Sequence, residues 1–338
     1  MRLWSSYWLQ RALPDNVGGS GITMKKASLI LLQVTLFFGI PHTVIAQTKT
    51  ALPAAISRPA ITGISHVGLV AQSLDANRNF YENALGWSSS PSLESSGGLR
   101  FSGNSKQWVD VVAATHPTDA PMNHVALATT NAEQMRVYLK AHQVHVPEKL
   151  TIWKDGSRSF RVHDPEGHVV EFVQAPTAEL RAITKNAALT KSISSRIIHA
   201  GFTVHSAQAE DAFYRDLLGF HLYWKGGMKA GVSDWVSMQV PDGTDWIEYM
   251  LNVPPNATAA QLGGANHFSL GVVDMDEVAA RLSKRSWPNR PTIRKQMGRD
   301  GKYQLNIYDP DETRVEFMEF TPREKPCCSA FSGVQPTP

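Results

Sequence analysis

Two histidines and two glutamates stand at matching places in the two halves of this chain. His66 opens HVGLVAQSLDANRNFYENALGW and His199 opens HAGFTVHSAQAEDAFYRDLLGF, an offset of 133 with no gap. Phe80/Phe213, Tyr81/Tyr214, Leu85/Leu218 and Gly86/Gly219 match along it. A second pair lies at an offset of 145: WKDGSRSFRVHDPEGHVVEF from Trp153 and GRDGKYQLNIYDPDETRVEF from Gly298. It aligns Asp164-Pro165 with Asp309-Pro310 and Glu171 with Glu316. A duplicated unit with an imidazole at one end and a carboxylate at the other carries the donor types of a divalent-metal site.

The elements that must position these groups repeat as well. HVGLVA reads as a strand, and Leu74 to Leu85 has helical spacing closed by Gly86 as a C-cap. Strands follow at Leu99–Ser102 and Trp108–Ala113. The pattern restarts at His124, with a strand, a helix over Ala132–Ala141 and a closing strand at Val169–Gln174. In the second half, IIHAGFTV, a helix over Ala209–Leu218, and HLYWK, DWVSMQV and DWIEYML form one unit. HFSLGVV at His267, a helix over Met275–Lys284, YQLNIY and RVEFMEF form another. The expected fold is α+β: four β-α-β-β-β modules in two pairs. Gly226-Gly227 and Gly263-Gly264 read as turns or linkers.

Paired modules of this kind, with a strand-opening His, an FY-x-x-x-LG helix end and a DP-x-G-x-x-x-E-F closing turn, resemble the vicinal oxygen chelate (VOC) superfamily over roughly residues 61–322. That group includes glyoxalase I, extradiol ring-cleavage dioxygenases and bleomycin resistance proteins. The resemblance implies that each module pair curls into an open-barrel cup with a divalent metal inside, held from the first and last strands of its modules. Carried onto this sequence, the second cup has His199, Glu248, His267 and Glu316, each His 49 residues from its Glu. The first cup has His66, Asp110, His124 and Glu171, with Asp110 one methylene shorter than a glutamate. Such a set suits Zn, Ni, Mn or Fe(II). Strand alternation leaves each residue two faces. Glu316 points either into a cup or to water, with Val315 and Phe317 opposite. Eight such positions all carrying His, Asp or Glu favour the cup, because unpaired buried carboxylates are costly.

Three functions are compatible with the resemblance. The first is a metal-dependent enzyme binding two vicinal oxygens of a small substrate, with glyoxalase-like proton transfer. Glu316 is then the first candidate base and Glu248 the second. The second is an extradiol-type dioxygenase in which His199, His267 and Glu316 hold Fe(II). The stretch Gly301–Tyr308 departs from that family's pattern: it has no His, and Asn306 stands where a Tyr is expected. The third is a non-catalytic ligand-binding or resistance protein of the bleomycin type. Trp224, Trp235, Trp246, Tyr249 and Phe268 either line a pocket or pack the core.

The bulk properties narrow the partners. The 338 residues are 42% apolar and 19% charged, with a net charge of +3 and scattered basic residues, so no nucleic-acid footprint is read. A small-molecule substrate is the expected partner, for a monomer or homodimer. Met24-Lys25-Lys26, the apolar run Ala27–Ile40 and Val44-Ile45-Ala46 read as a signal peptide over 24–46. The mature chain would start near Gln47, exported to the periplasm or beyond, with no stable membrane insertion after cleavage. Residues 1–23 fit no export pattern, and Met24 is the expected start. Export disfavours a glutathione adduct as substrate. The expected division is an extension plus signal peptide over 1–46, domains over 61–176 and 196–322, a linker over 177–195 and a disordered tail over 323–338. In that tail Cys327 and Cys328, the only cysteines, are expected as two thiols, because adjacent Cα atoms are poorly placed for a bridge.

Overall fold

The computed structural model describes residues 56–94, 97–104, 106–116, 120–176 and 191–338. The export segment and most of the linker lie outside them. Among the described residues, no helix is long and apolar enough to cross a membrane.

Each half contributes one eight-stranded sheet, and the two sheets have the same order. The first half has β1 (Ile61–Ala71), β2 (Ser88–Pro91), β3 (Leu99–Ser102), β4 (Trp108–Ala113), β5 (Met122–Thr129), β6 (Thr151–Ile152), β7 (Arg158–His163) and β8 (Val169–Gln174). These are arranged β2-β3-β4-β1-β5-β8-β7-β6. The second half has β9 (Ile197–Thr203), β10 (His221–Gly226), β11 (Trp235–Gln239), β12 (Trp246–Met250), β13 (His267–Val272), β14 (Gln296–Met297), β15 (Tyr303–Tyr308) and β16 (Arg314–Glu319). Their order is β10-β11-β12-β9-β13-β16-β15-β14. This is the expected α+β fold of four modules in two pairs.

Register places the chemistry on one face. On β9, Gly201 pairs with Glu248 of β12 on one side and His267 of β13 on the other. Two residues earlier, His199 pairs with Ser269, which in turn pairs with Glu316 of β16. Period-two alternation sends His199 to the same face as Gly201. The first half repeats this: Gly68 lies between Asp110 and His124, and His66 reaches Glu171 through Ala126.

The long helix of each first module changes from α-helical to π-helical along its length. Ser73 caps α1 (Leu74–Phe80) by accepting the Ala76 N–H, and the helix continues as a π-helical turn over Tyr81–Leu85. Gly86 closes it with φ 73°, the left-handed geometry expected of a C-cap. The second half follows suit with α3 (Ala207–Asp211) and a π-helical turn over Ala212–Leu217. Between them lies α2 (Ala132–Ala141), and α4 (Ala259–Ala265) and α5 (Met275–Ser283) complete the set. The turn expected at Gly263-Gly264 is instead part of α4. Thr258 starts that helix with a capping box, and Gly263 packs so near Glu312 that a Cβ would lie 2.4 Å from its carbonyl oxygen.

One apolar core runs through both halves, from Ile61 and Tyr81 to Phe268 and Phe317. The repeated motifs are what join them. Tyr81 donates its hydroxyl to Asp309 at 3.4 Å, and Tyr214 donates to Asp164 at 3.1 Å. The closing turn of each half thus docks on the first helix of the other. Asp311 accepts the Gln72 N–H at 2.9 Å, as Glu166 accepts that of His205 at 2.9 Å.

The segment expected as a disordered tail is ordered. Cys327 donates its N–H to Arg299 and accepts from the Trp224 indole. Phe331 packs on Tyr223 with ring centroids 4.8 Å apart, and Ser332 donates to the Tyr223 carbonyl. The tail covers the outer edge of β10, whose other side pairs with β11, and this tertiary gain is what orders it. Cys327 and Cys328 are bridged to each other, contrary to the two thiols expected.

Candidate metal centre

In the second cup the two imidazoles converge. His199 Nε2 lies 3.0 Å from His267 Nε2 and 3.1 Å from Glu316 Oε2. Glu316 Oε2 is 3.9 Å from His267 Nε2, and Glu248 Oε2 is 3.6 Å from it. Donor atoms of His199, His267 and Glu316 all lie within 4.8 Å of one another. Glu248 stands beside this set, with its Oε1 3.4 Å from the Ser237 hydroxyl. All four residues are buried.

Tautomer and charge suit a ligand set. His267 Nδ1 donates to the Ala265 carbonyl at 2.8 Å, which leaves its Nε2 as a lone pair. Burial, reinforced by the nearby Arg314 charge, holds the His267 pKa well below its usual value, so the ring is neutral. Burial raises the Glu316 carboxyl, but the hydrogen bond from His199 and the Arg314 charge outweigh it and hold the pKa at about 2. Burial dominates at Glu248 and pushes its pKa up. Arg314 reaches in from β16 and donates to His267 Nε2 at 2.7 Å.

Two neighbours set the imidazole positions. Trp246 stacks on His199 with centroids 4.7 Å apart, as Trp108 stacks on His66 at 4.7 Å. Gly201 and Gly68 provide space: a Cβ there would lie 2.2 Å from His267 Cε1 and 2.0 Å from His124 Cε1. The two glycines match in the H-x-G opening of each repeat, a signal the sequence carried without its reason being plain.

The set opens onto a cavity of about 310 Å³. Glu248, Glu316 and Arg314 are in its wall, with Trp224, Trp235 and Trp246 around them. Of the aromatic residues singled out, Phe268 and Tyr249 pack in the core instead.

The first cup is built from a different fourth residue. His66 Nε2 and His124 Nε2 are 3.0 Å apart, and His124 Nε2 is 3.3 Å from Glu171 Oε2. Glu94, from the segment after β2, approaches His66 Nε2 at 2.8 Å and completes a set of four. Asp110 is not in that set. Its Oδ2 accepts from Arg100 at 3.0 Å and from the Trp108 indole at 2.5 Å, because the shorter side chain and the adjacent guanidinium hold it on β4. Arg161 donates to Glu171 at 2.9 Å and to Glu94, and lies 3.3 Å from His124 Nε2. Glu94, Arg161 and Arg314 are the site residues that the sequence reading missed. Glu94 has no repeat partner, since Gly227 stands at the offset of 133.

Both sets fit a divalent cation by their own geometry. In each cup the donor atoms lie within 4.8 Å of one another, close enough to share one ion. Two imidazole nitrogens and one or two carboxylates suit a borderline metal.

Comparison with known proteins agrees with this architecture. The family model of the Glyoxalase/Bleomycin resistance protein/Dioxygenase superfamily matches residues 63–172 and 196–317. The Uncharacterized protein YwbC of Bacillus subtilis (strain 168) is 24% identical over 123 residues, which is 33% of this chain and 96% of that protein. The 2,3-dioxygenase LapB from Pseudomonas sp. KL28 superposes with a TM-score of 0.59 at 14% identity, covering 83% of this chain and 96% of that one. The Mn(II)-bound glyoxalase from Novosphingobium aromaticivorans gives 0.56 at 18% identity, with 77% and 83% covered. Homoprotocatechuate 2,3-dioxygenase from Brevibacterium fuscum, in complex with 3,4-dihydroxyphenylacetate, gives 0.53 at 20%, with 79% and 82% covered. At these identities the superpositions speak for the fold alone. With both module pairs matched by the family model, the chain belongs to the Glyoxalase/Bleomycin resistance protein/Dioxygenase superfamily.

Proposed function

We propose that the second cup is the active site of a divalent-metal-dependent enzyme acting on a small substrate with two adjacent oxygens, by proton transfer of the glyoxalase kind. The observation that carries this reading is the cavity of about 310 Å³ with Glu248, Glu316 and Arg314 together in its wall. His199, His267 and Glu316 would hold Zn, Ni, Mn or Fe(II). Such an ion supplies Lewis acidity toward a carbonyl or enolate oxygen. Arg314 places a cation in the same cavity for an ionised substrate oxygen. Glu248, buried but outside the tight donor set, is placed to take a proton from substrate carbon and return it. Trp224, Trp235 and Trp246 exclude water around it. This assigns the base role to Glu248 ahead of Glu316, whose carboxylate is committed to His199. A small-molecule partner belongs to the same proposal and rests on the cavity, and an exported location rests on the sequence of residues 24–46.

A second reading, an Fe(II) ring-cleaving dioxygenase, is favoured by one observation. The tight set is two histidines and one carboxylate, which leaves open positions for substrate and dioxygen. Two of the superposed proteins are 2,3-dioxygenases. The two chemistries separate in one experiment. Metal-stripped protein is reconstituted with each ion and given α-hydroxycarbonyls in deuterated water or catechols in air. The proposal expects metal-dependent exchange of the carbon-bound proton, lost in Glu248→Gln. Dioxygen uptake with catechol, under Fe(II) alone and without exchange, establishes the dioxygenase instead. Neither activity, with apolar ligands bound metal-free, establishes a binding protein.

A further inference from the structure

The two contacts that join the halves share a backbone but differ in chemistry. Asp309 Oδ1 accepts the N–H groups of Asp311 and Thr313 at 3.0 and 2.8 Å. Asp164 Oδ1 accepts those of Glu166 and His168 at 3.1 and 2.8 Å. Beside Asp309, the neighbouring helix offers Asn77, whose amide donates to Asp311 at 2.7 Å and to the Ser73 carbonyl at 3.1 Å. There the helix presents an amide that donates to the closing turn, and no second buried carboxylate.

At the other contact the repeat offsets place Glu210 where the first has Asn77, and His168 where it has Thr313. Asp164 Oδ2 lies 2.8 Å from His168 Nδ1 and accepts from the Tyr214 hydroxyl at 3.1 Å. Glu210 is 0% exposed. Its Oε1 accepts the Glu166 N–H at 3.1 Å, and its Oε2 is buried with no partner. One donor atom from each of Asp164, His168 and Glu210 lies within 4.8 Å of the others. Two buried carboxylates side by side, one with an unpaired oxygen, are costly unless a positive charge sits between them.

We infer that Asp164, His168 and Glu210 form a further divalent-cation site, of zinc or manganese type, that clips the closing turn of the first half to the first helix of the second. An imidazole and two carboxylates are the donors such ions take. His168, with 30% of its side chain exposed, gives the ion and its completing waters an entry path. The Tyr214 hydroxyl orients Asp164 from behind. The Asn77 contact, with an amide in place of the carboxylate, needs no cation. The competing occupant is a proton: burial and the Asp164 charge push the Glu210 pKa up to about 8. The inference is independent of what the cups bind.

The test compares the full chain with a double variant, Glu210→Asn with His168→Thr, which installs the residues of the chain's other contact. Both are metal-stripped, dialysed against Zn(II) at pH 7.5 and counted by elemental mass spectrometry. The site predicts one zinc fewer in the variant. It also predicts a zinc-dependent rise of several degrees in wild-type Tm beyond any rise in the variant. Equal zinc counts overturn it and leave the shared proton. If the double variant fails to fold, Glu210→Gln, nearly isosteric, decides the same count.

Discussion

A Cβ on Gly201 would lie 2.2 Å from Cε1 of His267, so the imidazole occupies the space that any side chain on β9 would fill. Gly201→Ala therefore displaces a ring of the proposed metal set without removing it. Expected is a roughly 10–100-fold loss of metal affinity at the second cup with the fold retained, the scale seen when a ligand's support is removed. Gly264→Ala, where a Cβ meets nothing within 4 Å, serves as control and leaves affinity unchanged. Dialysis against Mn(II) or Zn(II) measures both, and equal affinities would show that the close approach does not position His267.

In the first cup, Glu94 and not Asp110 approaches the imidazoles. Glu94→Ala should lower metal uptake there by at least tenfold, and Asp110→Asn should lower it by much less. Elemental analysis of the two variants checks this. A larger loss with Asp110→Asn would return the fourth ligand to β4.

Much of this site was legible before any coordinates. The pairs His66/His199 and Glu171/Glu316 recur at fixed offsets and sit in strands, where period two forces a single face once the register is set. The gap between Asp110 and Glu94 was not legible. Glu94 comes from an irregular segment with no repeat partner, so neither periodicity nor duplication marks it. The tail was misread for a related reason. Its Pro- and Ser-containing composition resembles disorder, and what orders it is the bare edge of β10, far away in sequence.

Deletion of 323–338 tests that covering role. It bares β10 and removes Phe331 from Tyr223 and from the cavity wall. The truncated chain is expected to melt several degrees lower and to self-associate with rising concentration, as uncovered edge strands do. Light scattering and thermal denaturation read these effects. A monomer of unchanged Tm would show that the tail does not protect the edge.

Asp309 gives stability a pH dependence. Burial pushes its pKa up from 3.8 to about 7 in the folded chain. Below about pH 4 the carboxyl is protonated in both folded and unfolded states. Between about 4 and about 7 the unfolded chain releases the proton first, so this group's contribution to stability falls as pH rises and is flat above. Asp309→Asn keeps the acceptor for Thr313 but does not titrate. Its Tm should fall less than wild type between pH 5 and 7.5, and parallel profiles would contradict the assignment.

The central claim is that His199, His267 and Glu316 hold a divalent ion. Metal content of the wild type, His267→Ala and Glu316→Ala, purified without a chelating tag, tests it most directly. The account predicts that both variants lose the same single equivalent while circular dichroism stays unchanged. Full metal content in both variants would contradict it.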